Sequence, residues 1–348
     1  ARSGKQYLLS FNRSESGKIM MAFDDIVACS YFGEHLKDYY FSGGKTVIDA
    51  LKETSDRSAE IDRKLALIDE QLKKRCEPFG EDYLLILYAS FRQSIAMHKL
   101  VKDRDGNVLF LSREANSNSC IATVDVSYPS VPLFLLYDTE YVKGMMRPIF
   151  RFARTDVWTF GFAPHDGGVY PNCDGQHYGL SKTVTEEHCN YLTAPSVQFV
   201  TRPATYYYPA SFDAYDLYWQ MPVEECANMI VMTAACCRVD GDTAFFDENG
   251  DLLAKWARYL EENGEMPSNQ ICTDDFAGHL DKNVNLAVKA AVALGCYADL
   301  CGKTGRDKEA LHYSLTARKF ADGIEKFARK YDRCPLTFDG GGETFILK

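Results

Sequence analysis

Two adjacent carboxylates, Glu224 and Glu225, stand in the stretch Met221-Pro222-Val223-Glu224-Glu225-Cys226-Ala227-Asn228-Met229. Proline is favoured at the first position of a helix, where its missing N–H is not needed. Val223, Cys226, Ile230, Val231 and Ala234 then recur at helical spacing, so both glutamates fall in the first turn of a largely apolar helix. Unpaired N–H groups and the helix dipole stabilise an ionised carboxylate there, which suits it to act as a base or a ligand. The plainer reading is that one glutamate only caps the helix. A second acidic pair, Asp274-Asp275, and the dipeptide His165-Asp166 inside a Gly- and Pro-rich turn are further residues able to bind or move protons.

Other chemistries are less well supported. His165, His177 and His188 lack the spacing of helical metal ligands, so no metal is expected, and no cofactor motif is present. Ser42-Gly43-Gly44-Lys45 fits S-x-x-K, but its double glycine argues for a loop and the companion motifs are missing. Cys226 would serve as a nucleophile only with a histidine beside it. Gly302-Lys303-Thr304 follows a helix and reads as its C-terminal cap, not as a phosphate loop.

The elements that must position these groups are mainly helices. Helical periodicity runs over Thr46 to Arg75, Tyr83 to Val101, Thr139 to Phe152, Pro222 to Val239, Thr243 to Asn263, Asn285 to Cys301 and Lys308 to Tyr331. Long amphipathic helices joined by short loops pack as antiparallel hairpins, and the lack of a fixed repeat favours a ring of unlike hairpins over a regular solenoid. Upstream, Tyr7 to Phe11 and Ile19 to Phe23 read as a strand pair, so 1–44 is taken as the edge of a β-rich unit and 45–348 as the helical domain. Asp105-Gly106 marks a turn; the neighbouring Asp103 and Asn107 suggest a calcium loop, but its required glycine is missing. Thr159 to Gln220 breaks the helical pattern and is crowded with aromatic rings, Tyr206, Tyr207, Tyr208, Tyr215, Tyr218 and Trp219 among them. Such rings either stack on sugars or close over a ligand, or they form a local core that holds the loop down.

With 46% hydrophobic and 25% charged residues the 348-residue chain has the composition of a folded protein. A net charge of -10 would repel nucleic acid and anionic membranes, and no run of about 18 apolar residues predicts a bilayer span. Of twelve cysteines none forms a CxxC pair. Cys226, Cys236, Cys237, Cys296 and Cys301 lie in helical apolar patterns as small hydrophobes, and Cys173 with Cys189 is the candidate disulfide if the compartment is oxidising.

Seven segments, in order, give the chain a family signature. They are Ala22-Phe23-Asp24-Asp25-Ile26, Tyr31-Phe32-Gly33, the run Ser119 to Pro129 around Asp125, Lys143-Gly144-Met145, the run Ala163 to Pro171, Met221 to Met229, and Asn269 to Leu280. Together they resemble the glutaminase A family of microbial hydrolases. The resemblance implies an (α/α)6 toroid of six helical hairpins, of the kind otherwise common among glycoside hydrolases, preceded by a β-rich domain, in proteins that are typically exported to the periplasm or secreted. Seven helices are read here against the twelve of such a ring, so the array is expected to stop before closure, with only a short N-terminal β segment. The stretch from Gly179 to Gln220 is longer than the family's usual link.

In such a toroid the inner-helix loops gather at one mouth. The resemblance therefore implies that Asp125, His165, Asp166, Glu224, Glu225, Asp274 and Asp275 converge there. Glu224 or Glu225 is the expected base and Asp274 or Asp275 the expected acid. Asp125, Tyr128, His165, Asp166, Tyr170, Asn228 and His279 are the expected substrate contacts. The activity implied is ammonia release from glutamine, with a glycan substrate or a non-catalytic binding paralogue as rivals.

Overall fold

A computed structural model of the chain describes residues 18–114, 119–181, 184, 190–194, 197–201, 204–273, 278–331 and 334–339. The protein is mainly helical, an array of helical hairpins with a small N-terminal β segment. Helices α1 (Val47–Asp56), α2 (Ser58–Cys76) and α3 (Glu81–Ala96) come first. Two short helices follow, α4 (Val124–Ser127) and α5 (Val131–Leu135), and then α6 (Thr139–Ala153). The C-terminal half holds α7 (Pro222–Asp240), α8 (Ala244–Glu248), α9 (Gly250–Asn263), α10 (Val284–Lys303) and α11 (Asp307–Ala328).

Helix α7 is the axis of the core. It starts on Pro222 and ends on Gly241, whose φ of 76° lies in the left-handed region that closes helices at low cost when no Cβ is present. Side chains from Pro222 through Ile230 are all buried, as expected of a helix surrounded on every side. Its neighbours are α4, α5, α6, α8, α9 and α10. Helix α10 packs alongside α7, with Lys289 beside Glu224 and Asn228 and, further along, Cys296 near Arg238, so the two run in the same direction. By length and hydropathy α10 could cross a membrane, but here it is a core helix pressed between α7 and α11.

A small sheet ties distant segments to this axis. Strands β1 (Cys29–Tyr31), β2 (Glu34–Leu36), β3 (His98–Lys102), β4 (Val108–Ser112), β5 (Cys120–Ile121), β6 (Gly168–Val169) and β7 (Asn172–Cys173) precede the hairpin β8 (Asn190–Ala194) and β9 (Val197–Thr201). The order β2-β1-β7-β6-β5 has β1 parallel to β7 and the other pairs antiparallel. Cys120 faces Val169 and Ile121 faces Gly168, which sets the segment before Asp125 against the one after Asp166. Hairpin β3–β4 lies on α6, where Gly144 is required: a Cβ there would stand 2.9 Å from both Phe110 N and Val108 O.

Several boundaries differ from the sequence reading. The helix read as Thr46 to Arg75 breaks at Arg57 without a glycine or proline to mark it. Tyr83 to Val101 ends at Ala96, because His98–Lys102 pairs with β4; Asp103 accepts the N–H groups of Asp105 and Asn107 and closes that hairpin, in keeping with the turn signal. Pairing against a buried strand here overrides helical periodicity. Thr243 to Asn263 is interrupted at Asn249-Gly250, a poor helix-forming pair. Ile19 to Phe23 is not a strand: among the described residues it pairs with no other strand and runs exposed, and the N-terminal hairpin is instead Cys29 to Leu36. Tyr7 to Phe11 lies outside the described residues, as does Cys189, the candidate partner of Cys173. Among the aromatic residues of the long loop, Tyr215 joins Phe152 and Trp158 in the core, whereas Tyr207, Tyr218 and Trp219 are exposed.

Candidate active site

Helix α7 presents Glu224, Glu225 and Asn228 from consecutive turns, and all three are buried. Asn228 Nδ2 donates to Glu225 Oε2 at 3.1 Å and to Glu224 Oε1 at 3.5 Å, while its Oδ1 accepts Lys289 Nζ at 3.0 Å. Lys289 also forms a short ion pair with Glu224 Oε1 and lies 4.6 Å from the centre of the Tyr128 ring. Thr273 N donates to the other Glu224 oxygen at 3.3 Å. Glu224 is thus a carboxylate with a buried counter-ion. Glu225 is not: its Oε1 has no hydrogen-bond partner among the described residues. Burial, Asp125 and Glu224 push the Glu225 pKa well above the carboxylate range.

Asp125 arrives on α4, held by the backbone bond from Val124 N to His165 O at 2.8 Å. Three residues before Asp125, Ala122 takes φ 54°, a left-handed conformation unusual for a residue with a Cβ. Asp125 Oδ1 makes no hydrogen bond among the described residues and sits 3.6 Å from His165 Nε2. Burial raises the Asp125 pKa and the charge of His165 opposes that rise, leaving it above the ordinary aspartate value. One atom each from Asp125, His165 and Glu225 lie within 4.8 Å of one another. Two carboxyls so close share protons, and the pair, not either residue, sets the apparent pKa values.

His165-Asp166 closes the other side. Asp166 accepts Gly168 N (2.8 Å), His177 N (2.8 Å) and Tyr178 N (3.0 Å) as well as His165 Nδ1 (3.0 Å). Burial opposes its charge, but the hydrogen bond and charge of His165 and the His177 N–H outweigh burial and hold its pKa low. Burial likewise opposes the His165 cation, and the Asp166 hydrogen bond with the Asp125 charge outweighs it and raises that pKa. The imidazole stacks on Tyr178 at 4.4 Å, and its backbone N donates to Gln176 Oε1 at 2.6 Å. Asp166 is therefore the knot of its loop. We expect Asp166→Asn to cost about 3 kcal/mol, read as a lowered urea midpoint; an unchanged midpoint would show that these four bonds carry no net stability.

The structure brings Asp125, Tyr128, His165, Asp166, Glu224, Glu225 and Asn228 together. Two further expected contacts have partners of their own. Tyr170 lies under the Arg113 guanidinium at 3.6 Å, and His279 stacks on Tyr218 at 3.9 Å. Asp274 and Asp275 lie outside the described residues, directly after Thr273. Sequence reasoning missed Lys289, whose signal is a lone cation in the apolar run Leu286 to Leu294. It also missed the glutamines. Gln270 Oε1 accepts Val223 N at 3.1 Å at the start of α7, and Gln176 bridges His165 to Gln220. Cys226 is fully buried with its thiol pKa pushed up by burial, and Ala163 N donates to its sulfur, so it is no nucleophile. Ser42 bonds back to Tyr39 O in a loop, and Lys45 pairs with Glu53. As a donor set, Asp125, His165 and Glu225 would suit a divalent cation; Cys120, His165 and Asp166 also lie close together, but there His165 Nδ1 and Asp166 Oδ2 are bonded to each other.

The fold is an array of helical hairpins with buried acids at the start of its central helix. Residues 80–348 match the glutaminase A six helical-hairpin domain, and the chain belongs to that family. It is 28% identical over 298 residues to Glutaminase A of Aspergillus oryzae, a match covering 85% of this chain and 37% of that protein. It is 25% identical over 293 residues to the "Probable glutaminase" of Arthroderma benhamiae, covering 77% and 34%. The chain spans about a third of the length of these relatives.

Proposed function

We propose that Asp125 and Glu225 form the acid–base pair of a hydrolase, with a carboxamide such as that of glutamine as the substrate class its relatives' names suggest. The observation that carries this reading is the juxtaposition, within 4.8 Å, of two buried carboxyls and a histidine, with an oxygen on each carboxyl that makes no hydrogen bond among the described residues. In this reading Glu225, whose pKa burial and the neighbouring Asp125 and Glu224 push well above the ordinary value, is the protonated partner, and Asp125, whose rise by burial the His165 charge opposes, is the ionised one. Asp125 takes a proton from water as the water attacks the carbonyl carbon. Glu225 gives its proton to the leaving nitrogen, and ammonia departs. Glu225 is then the acid, whereas the sequence led to the expectation that Glu224 or Glu225 is the base.

The same geometry supports a second reading, glycoside hydrolysis. Glycosidases set two carboxyls about the scissile bond, and Asp125 and Glu225 bring one atom each within 4.8 Å of one another. Assays for ammonia from glutamine and for reducing sugar from a glycan panel separate the two. The rate should be bell-shaped in pH, lost on the acid side as Asp125 protonates and on the alkaline side as Glu225 ionises, with both limbs displaced upward from an ordinary carboxylate pair. Absence of both products with ligand binding retained would support the non-catalytic reading.

A further inference from the structure

Three residues before α7 the chain exposes an aromatic corner. Tyr218 and Trp219 are 55% and 45% exposed, with ring centroids 5.0 Å apart and planes at 88°. His279 backs one face of the Tyr218 ring, stacked at 3.9 Å and 20°, and its Nε2 lies 2.7 Å from Tyr218 O. The result is a Tyr218 floor backed by His279, with the indole as a wall. Both sides of the corner lead to the acid pair. Trp219 is followed by Gln220, which accepts Gln176 Nε2 at 2.8 Å, and Gln176 in turn accepts His165 N. His279 belongs to the segment that opens with Gln270 on Val223 N and passes Thr273 on Glu224. Trp219 and Glu224 are five residues apart, so their Cα atoms lie within about 17 Å.

We infer that this corner is a subsite for a neutral saturated sugar ring of the substrate whose bond Asp125 and Glu225 split. As a subsite it rests on the reading of that pair. A flat ring is what a floor and wall of aromatic faces select, because C–H groups on one sugar face meet the electron-rich rings while hydroxyls turn to the polar edges. Charge selects neutrality: a net charge of -10 and the adjacent acids disfavour nucleotides and other anionic planar ligands. The corner is therefore suited to a hexose of a glycan or glycoconjugate.

Tryptophan fluorescence tests this directly, since Trp219 is exposed while Trp158 and Trp256 are 4% and 0% exposed. Cellotetraose or maltotetraose should shift Trp219 emission and shield it from acrylamide. Tyr218→Ala should weaken that binding about tenfold, while Tyr207→Ala, an exposed aromatic elsewhere, should leave it unchanged. If neither sugar alters Trp219 quenching while glutamine is still hydrolysed, the subsite is wrong and the acid pair stands. Protection that Tyr218→Ala leaves intact also overturns the subsite. Protection with neither glutamine nor any glycan hydrolysed would uphold the corner as a sugar site and overturn the catalytic reading instead.

Discussion

Glu225→Gln is expected to lower turnover about a thousandfold, the middle of the range for loss of a general acid, while leaving the fold intact. Glutamine keeps the shape of a protonated glutamate and can still accept Asn228 Nδ2, but it has no proton to give. The stability effect has a definite sign. A carboxyl whose folded pKa is raised binds more protons folded than unfolded once pH exceeds its ordinary value, so native Glu225 costs stability increasingly as pH rises through neutrality. The variant escapes that cost. Its melting temperature should match the parent's in acid and exceed it at alkaline pH. Parallel turnover and melting series from acid to alkaline pH check both statements, and unchanged turnover would remove Glu225 from the mechanism.

The second large effect belongs to Lys289→Met. Removing this cation leaves Glu224 buried with a hydrogen bond from Thr273 N and a long one from Asn228 but no counter-ion. Breaking one side of a buried ion pair costs about 3–5 kcal/mol, and a methionine fills the stem's volume without adding a cavity. Urea denaturation should show that loss at neutral pH. Removing both charges, Lys289→Met with Glu224→Gln, should recover most of it; failure to recover would mean Lys289 stabilises through packing against Tyr128 instead.

Helix α7 was legible because proline, apolar spacing and a terminal glycine act within a few residues: the sequence reading of Pro222 to Val239 differs from the observed helix by one residue. The family and its helical hairpins were legible from seven ordered segments. The partnership of Asp125 with Glu225 was not, since one hundred positions separate them and the packing of α4 on α7 brings them together, while the β5–β6 pairing and the Val124–His165 bond set His165 beside Asp125. Nor were the roles within the site. A first-turn glutamate invites the reading of a stabilised anion, and only tertiary burial shows that Glu224 has a lysine and Glu225 has none. Lys289 went unnoticed because a cation in an apolar helix is ordinarily a side chain at the surface, whereas here it turns inward to a carboxylate. The hairpin at His98 and the exposed run at Ile19 were misread for a related reason: whether a short apolar stretch becomes a strand depends on a partner that local sequence does not name.

The proton on Glu225 is the claim from which the chemistry follows. Isotope-edited infrared spectroscopy with 13C-labelled glutamate, compared between the parent chain and Glu225→Gln, observes it directly. A protonated-carboxyl stretch at neutral pH that vanishes in the variant is the predicted result, whereas an ionised Glu225 carboxylate at that pH would contradict the assignment of the acid.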